Sequence, residues 1–165
     1  LVGAFFRVFF LDSDAYLKLM QDVQNRSIEP YYKVGDQFTD IYRAKSGHGL
    51  FTSILVPSLT RTFNTLARVE AMDACARAAV AMTRYGLDHG TLPSHLDELV
   101  PAYLDEVPID PFDGRPLRLT IKSDRWIVYS IGPDLVDDGG VDMVNGKGDV
   151  IFTLKLAPTE ATSRP

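Results

Sequence analysis

The residues best suited to chemistry are concentrated between Tyr129 and Asp149, in the stretch YSIGPDLVDDGGVDMVNGKGD. Aspartates stand at 134, 137, 138, 142 and 149, glycines at 132, 139, 140, 146 and 148, and Lys147 is the only cation. Carboxylates this dense repel one another unless something neutralises them, and the glycines let the chain turn sharply enough to bring them together. A hard cation meets both conditions, since calcium takes about six to eight oxygens from carboxylates, carbonyls and water. Three readings follow from the residues: a calcium site, an acidic solvated hairpin, or a catalytic carboxylate cluster. The spacing is not that of an EF-hand.

Elsewhere the chain offers little reactive chemistry. His48, His89 and His95 are its only histidines, and no cysteine or acidic residue joins them at zinc-ligand spacing. His89 suits the last turn of a helix, where the dipole favours a cation. No nucleophile elbow, phosphate loop, dinucleotide fingerprint or HExxH motif is present. Ser130 has no nearby histidine to activate it, so the chain is read as non-enzymatic. DPFDG at 110–114 is a second acidic turn, in which Asp110 and Asp113 are expected to cap local amides. The net charge of −5 and pI of about 5.1 argue against nucleic acid as a partner, because phosphates need a basic surface. Cys75 is the single cysteine; among small and apolar neighbours it reads as buried packing.

The elements that must position the acidic stretch are legible from periodicity. A long helix is expected from about Pro57 to His89, with Pro57 in its first turn and Gly90 ending it. Leu59, Phe63, Leu66, Val69, Met72 or Asp73, Ala76, Val80, Thr83 and Leu87 follow a spacing near three to four. The many alanines let a sheet or another helix approach closely, while Arg61, Arg68, Arg77 and Arg84 form a solvent-facing set. A shorter unit follows, with Ser94 as cap, Asp97 three residues later, and Leu96, Leu99 and Val100 inward. Residues 117–121, 125–131 and 150–156 read as strands, Asp124 lies in the first turn, and Leu117, Leu119 and Ile121 share a face. Trp126 is expected to pack the sheet on the helix. The fold class is α+β: a long helix on a small antiparallel sheet, preceded by a largely helical leading segment.

That leading segment, residues 1–57, opens with LVGAFFRVFFL, too short to span a bilayer and too apolar to be left in water. Phe5, Phe6, Phe9 and Phe10 are candidate contacts for this domain or for a protein partner. Helices are expected over about 12–24 and 36–44, the tyrosines at 31 and 32 are expected to be in the core or half-buried, and 157–165 reads as a loose tail.

Taken together, the alanine-rich helix ending RYGLDHGTLPSHLDELVPAYL, then VPIDPFDGRPL, WIVYSIGPD, the DDGG turn and GDVIF resemble a pseudopilin, closest to the major pseudopilin of bacterial type II secretion. The resemblance covers about residues 58–154, so the head domain is expected over 58–156. The family's D-P-W-G turn resembles Asp110, Pro111, Phe112 and Gly114, with Asp113 inserted and phenylalanine for tryptophan. Its S-x-G-x-D-G segment resembles Ser130, Gly132 and Asp134, with Leu135 in place of the last glycine. The resemblance implies a calcium-binding loop with Asp134, Asp137, Asp142 and Asp149 as ligands, joined by Asp138 and backbone oxygens such as that of Leu135. It also implies a structural or assembly role at the extracytoplasmic face of the bacterial envelope, self-assembly or protein partners met through helices, and a membrane anchor upstream of residue 1. The alternatives are an interaction module of a larger envelope complex that forms no fibre, and a metal-dependent hydrolase using the acidic loop.

Overall fold

The computed structural model describes residues 17–18, 20–21, 24–25, 29–33, 50–123 and 125–155, with backbone alone over 50–59. The chain divides into two compact units, Leu1–Ala67 and Arg68–Pro165. In the first unit, residues 17–18, 20–21, 24–25 and 31–33 are helical. Tyr31 is half-buried and its hydroxyl donates to the Asn64 side chain, whereas Tyr32 is exposed beside Lys33, outside the packing expected for it. The expected helix at 36–44, the phenylalanines Phe5, Phe6, Phe9 and Phe10, the Asp124 turn position and the 157–165 tail lie outside the described residues.

One long helix, α1 (Leu50–His89), and a three-stranded antiparallel sheet make an α+β fold. The helix starts earlier than expected, which places Pro57 inside it rather than in its first turn. It stops where the sequence says: Gly90 takes φ 74°, a left-handed value open to glycine, and its N–H bonds Gly86 O at 2.9 Å. The buried face of α1 is the alanine face, along which the sequence lets a sheet approach, and not the series of larger residues spaced three to four apart. Ala71, Ala74, Cys75, Ala78, Ala79, Ala81 and Met82 are buried, while Leu66, Val69, Met72, Val80 and Leu87 are 55–81% exposed. Small side chains won the inner face because they let the sheet approach, and its bulk fills the space: Leu117 and Val128 are buried against them, with Leu119, Trp126 and Leu154 packed alongside.

Strand β1 (Arg118–Lys122) pairs antiparallel with β2 (Arg125–Ser130), which pairs antiparallel with β3 (Val150–Lys155). Leu119 lies opposite Val128, and Trp126 opposite Leu154, on the face toward α1. Ile121, expected on that face, is 45% exposed at the end of β1, beyond the helix-packed core. Trp126 does join sheet to core, and its indole N–H donates to Pro93 O at 3.1 Å. Between helix and sheet, a 3-10 turn at Leu96–Leu99 buries Leu96 and Leu99. Its closing carboxylate is Glu98 rather than Asp97: Glu98 Oε1 accepts the N–H groups of Ser94 and His95, each at 2.9 Å. These donors, the His95 N–H foremost and then the Tyr85 hydroxyl, hold Glu98 below the usual carboxylate range. Val100, expected inward, is 36% exposed because the chain turns away before Pro101.

Candidate functional site

The acidic stretch lies over the sheet face opposite α1. Thr120, Ile127 and Tyr129 alternate onto that face, and Gly140 approaches all three so closely that a Cβ there would sit 2.9 Å from Thr120 Cγ2 and 3.1 Å from Ile127 Cγ2. β2 is therefore covered on both sides, and Ile127, Val128, Tyr129 and Ser130 are all buried. A second close approach occurs at Gly132, where φ is +71° and a Cβ would meet Gly148 O at 2.6 Å. Asn145 and Gly146, both at positive φ, close a tight turn between Val144 and Lys147.

Each predicted ligand has a defined place. Asp149 is fully buried, with Oδ2 accepting N–H groups from Gly140 at 2.7 Å and Val141 at 3.1 Å, and Oδ1 accepting that of Asp138 at 3.4 Å. Burial nevertheless pushes its carboxyl above the ordinary range, against the pull of those donors. Asp134 Oδ2 accepts the Gly148 N–H at 3.0 Å and so ties the loop's start to its end. Asp142 accepts the Met143 N–H at 2.8 Å, and its backbone bridges that of Asp149. Asp137 accepts from Gly139 N–H at 3.0 Å and pairs with Arg118 Nε at 3.1 Å. Leu135 is 44% exposed with φ 58°. Its left-handed backbone is one that glycine would adopt at lower cost.

Arg118 was not a candidate from the sequence, yet it organises the region. Its guanidinium pairs with Asp110 at 3.1 Å, with Asp113 and with Asp137. Burial lowers its pKa, but the Asp113 hydrogen bond and the charges of Asp113, Asp110 and Asp137 outweigh that and hold it above its ordinary value. The signal was alternation: Arg118 stands between Leu117 and Leu119 and must lie on the face the acidic loop covers. Asp110 is the buried end of this network. Its Oδ1 accepts Phe112 N–H at 2.9 Å and Ser130 Oγ–H at 2.8 Å, and its Oδ2 accepts Ile131 N–H at 2.9 Å beside the Arg118 pair. Asp113 accepts the Arg115 N–H at 3.0 Å. Both aspartates thus cap local amides as the turn sequence implied, and Asp110 also reaches the end of β2. Ser130 is fully buried, its hydroxyl committed to Asp110. Among the described residues no buried side-chain polar atom lacks a partner.

An open cleft of about 380 Å³ borders the network, lined by Phe112, Asp113, Arg115, Arg118, Leu135 and Asp137. Both of its carboxylates already pair with Arg118, which leaves them poor general bases. Among the described residues no three acidic, histidine or cysteine side chains converge as a ready-made metal cage. A carboxylate offers about four lone-pair positions, so Asp134, Asp142 and Asp149 keep acceptor capacity beyond the N–H groups they hold. Asp137 would have to share its oxygens between a cation and Arg118.

At the helix end, Tyr85 stacks on His89 with ring centroids 4.0 Å apart, and Tyr103 meets both rings edge-on. His89 Nδ1 lies 3.0 Å from Tyr85 O, which gives it the helix-terminal place expected for it. Cys75 is buried with its thiol 3.7 Å from Val150 O, and burial pushes its pKa up to about 12. Arg61, Arg68, Arg77 and Arg84 are exposed, with Arg77 paired to Asp73 at 3.0 Å. Among the described residues no helix is long and apolar enough to cross a membrane. No protein-family model, curated protein or solved structure matches the chain.

Proposed function

We propose that this chain is a pseudopilin-like, non-enzymatic structural or assembly component of the bacterial cell envelope, acting in secretion machinery or a related envelope complex. The observation that carries this reading is the two-sided helix. One face of α1 is fixed to the sheet through alanines, while Val69, Met72, Val80 and Leu87 on the other face stand 56–81% exposed. A rigid stem with an apolar exposed stripe suits protein–protein contact. The Arg118 network supports the same role, since it consumes charged groups in holding the head together rather than presenting them to a substrate.

Calcium is the proposed ligand of the 134–149 loop. Asp134, Asp137, Asp142 and Asp149 would supply carboxylate oxygens, with Asp138 and the Leu135 carbonyl in addition. The ion would add folding free energy, because the unfolded chain holds no such site. Calorimetry on chelator-stripped protein with magnesium as competitor tests this. Saturable, calcium-selective binding that weakens at least about tenfold in Asp142→Ala is expected, a loss of about 1.4 kcal/mol. Unchanged affinity and melting in Asp142→Ala would remove that ligand; absence of binding by folded wild-type protein would remove calcium from the reading.

A further inference from the structure

We propose that the end of the sheet beside the β1–β2 turn docks a helix of another protein, one that carries acidic residues at positions i, i+4 and i+7. Strand register places three cations in one row. Lys122 lies directly opposite Arg125, and Arg125 directly opposite Lys155, so the three share one face across β1, β2 and β3. All three are exposed. Like charges set directly opposite one another destabilise a sheet, and here two such pairs stand side by side. Lysine on an edge strand guards against unwanted strand pairing. That accounts for Lys122 and Lys155 but not for Arg125, because β2 is the central strand. Among the described residues neither lysine forms an ion pair. The turn between Lys122 and Arg125 contributes one carboxylate to the sequence, Asp124, against three cations. The row is thus a local excess of positive charge on a chain of net charge −5, and its complement is a row of carboxylates. Spacing selects the form of that complement. Neighbouring strands lie about 4.8 Å apart, so the row spans about 10 Å. Seven residues of helix rise about 10.5 Å, and residues i, i+4 and i+7 share a face. A helix laid across the strands sets one carboxylate over each cation. An extended segment with acidic residues at i, i+2 and i+4 spans about 13 Å and overshoots the row. A second copy of α1 does not fit, since Glu70 and Asp73 are followed by Arg77 where the third carboxylate is needed. The inference rests on strand register and charge, not on the envelope or calcium readings.

The test titrates the isotopically labelled full chain at low salt and follows its amide NMR shifts. The probe is an alanine-rich helical peptide of about 20 residues with glutamates at i, i+4 and i+7. A control peptide spreads the same three glutamates around the helix. Circular dichroism checks the folding of each variant; the changed side chains are exposed, so the fold is expected to persist. Wild-type protein binds the probe with a dissociation constant on the order of a few millimolar, as three exposed ion pairs allow, and the shifts centre on Lys122, Arg125 and Lys155. Lys122→Gln and Lys155→Gln each weaken binding by about threefold. The triple variant Lys122→Glu/Arg125→Glu/Lys155→Glu loses the probe and binds its lysine counterpart to within about threefold of the wild-type affinity, because the pairs re-form with their signs exchanged. No shift at the row with probe at about 10 mM overturns the proposal. So does equal binding of the control peptide, which would show attraction to negative charge without recognition of a helix face. Phosphatidylcholine vesicles with about one third phosphatidylglycerol make the last arm. Cosedimentation of wild-type protein that the triple variant loses, without any response to the probe, would assign the row to an anionic membrane and overturn the helix partner. Each of these failures leaves the assembly and calcium readings standing, since those rest on α1 and on the 134–149 loop.

Discussion

Asp110→Asn isolates what the buried network contributes. The substitution keeps the shape but replaces one carboxylate oxygen by an amide that donates. Each oxygen of Asp110 faces two donors: Phe112 N–H and Ser130 Oγ–H at one, Ile131 N–H and Arg118 Nη1 at the other. Whichever way the amide turns, its NH₂ meets donors, and the charge opposite Arg118 is gone. Two hydrogen bonds to a charged acceptor are lost at about 1.5–3 kcal/mol each, and breaking a buried ion pair by removing one partner costs about 3–5 kcal/mol, so the expected loss is about 4 kcal/mol. These are two views of one interaction and are not added. Urea unfolding followed by the fluorescence of Trp126, the only tryptophan, measures it. With an m-value near 2 kcal/mol/M, the midpoint falls by roughly 2 M. A loss below about 1 kcal/mol at unchanged m would show that Asp110 is replaceable and that the network does not join the 110–118 turn to the end of β2.

Two further outcomes follow. Cys75 and Tyr129 are raised from 9.0 and 10.0 to about 12, in both cases by burial first, then by Asp110 for the thiol and Asp137 for the phenol. Both groups are neutral when protonated, so the folded state holds their protons more tightly than the unfolded one. Their contribution is complete below about pH 9 and lost as pH rises through about 12; urea titrations at about pH 8, 10 and 11 should show steadily falling stability, and a flat profile would contradict the burial of both. Leu135→Gly relieves a left-handed backbone at an exposed position, and a gain of up to about 1 kcal/mol is expected, reduced by the greater freedom of glycine in the unfolded chain; a loss above about 1 kcal/mol would mean that the leucine side chain holds the loop.

The sequence by itself determined the parts whose signal is local. Gly90 ends α1 because only the backbone beside it is involved, and the three strands lie within a residue or so of the alternating segments that predict them. The cap roles of Asp110 and Asp113 are written in the DPFDG turn, since each carboxylate reaches an amide two residues on. What needed tertiary structure is whatever depends on a partner distant in the chain. Helical periodicity marks two candidate stripes on α1, one of large apolar residues and one of alanines that lets a sheet or another helix approach, and it does not decide which one the sheet meets. The sheet chose the second, because Trp126, Val128 and Leu117 supply the bulk and the helix has only to come close. Likewise, five aspartates in a row of turns read as ligands awaiting a cation, while the folded chain brings Arg118 and a set of backbone N–H groups to Asp137 and Asp149. No spacing within 129–149 encodes an arginine on β1. Its place is fixed by the strand register, which sets Arg118 opposite Tyr129, and by the fold of the acidic loop back over that face of the sheet.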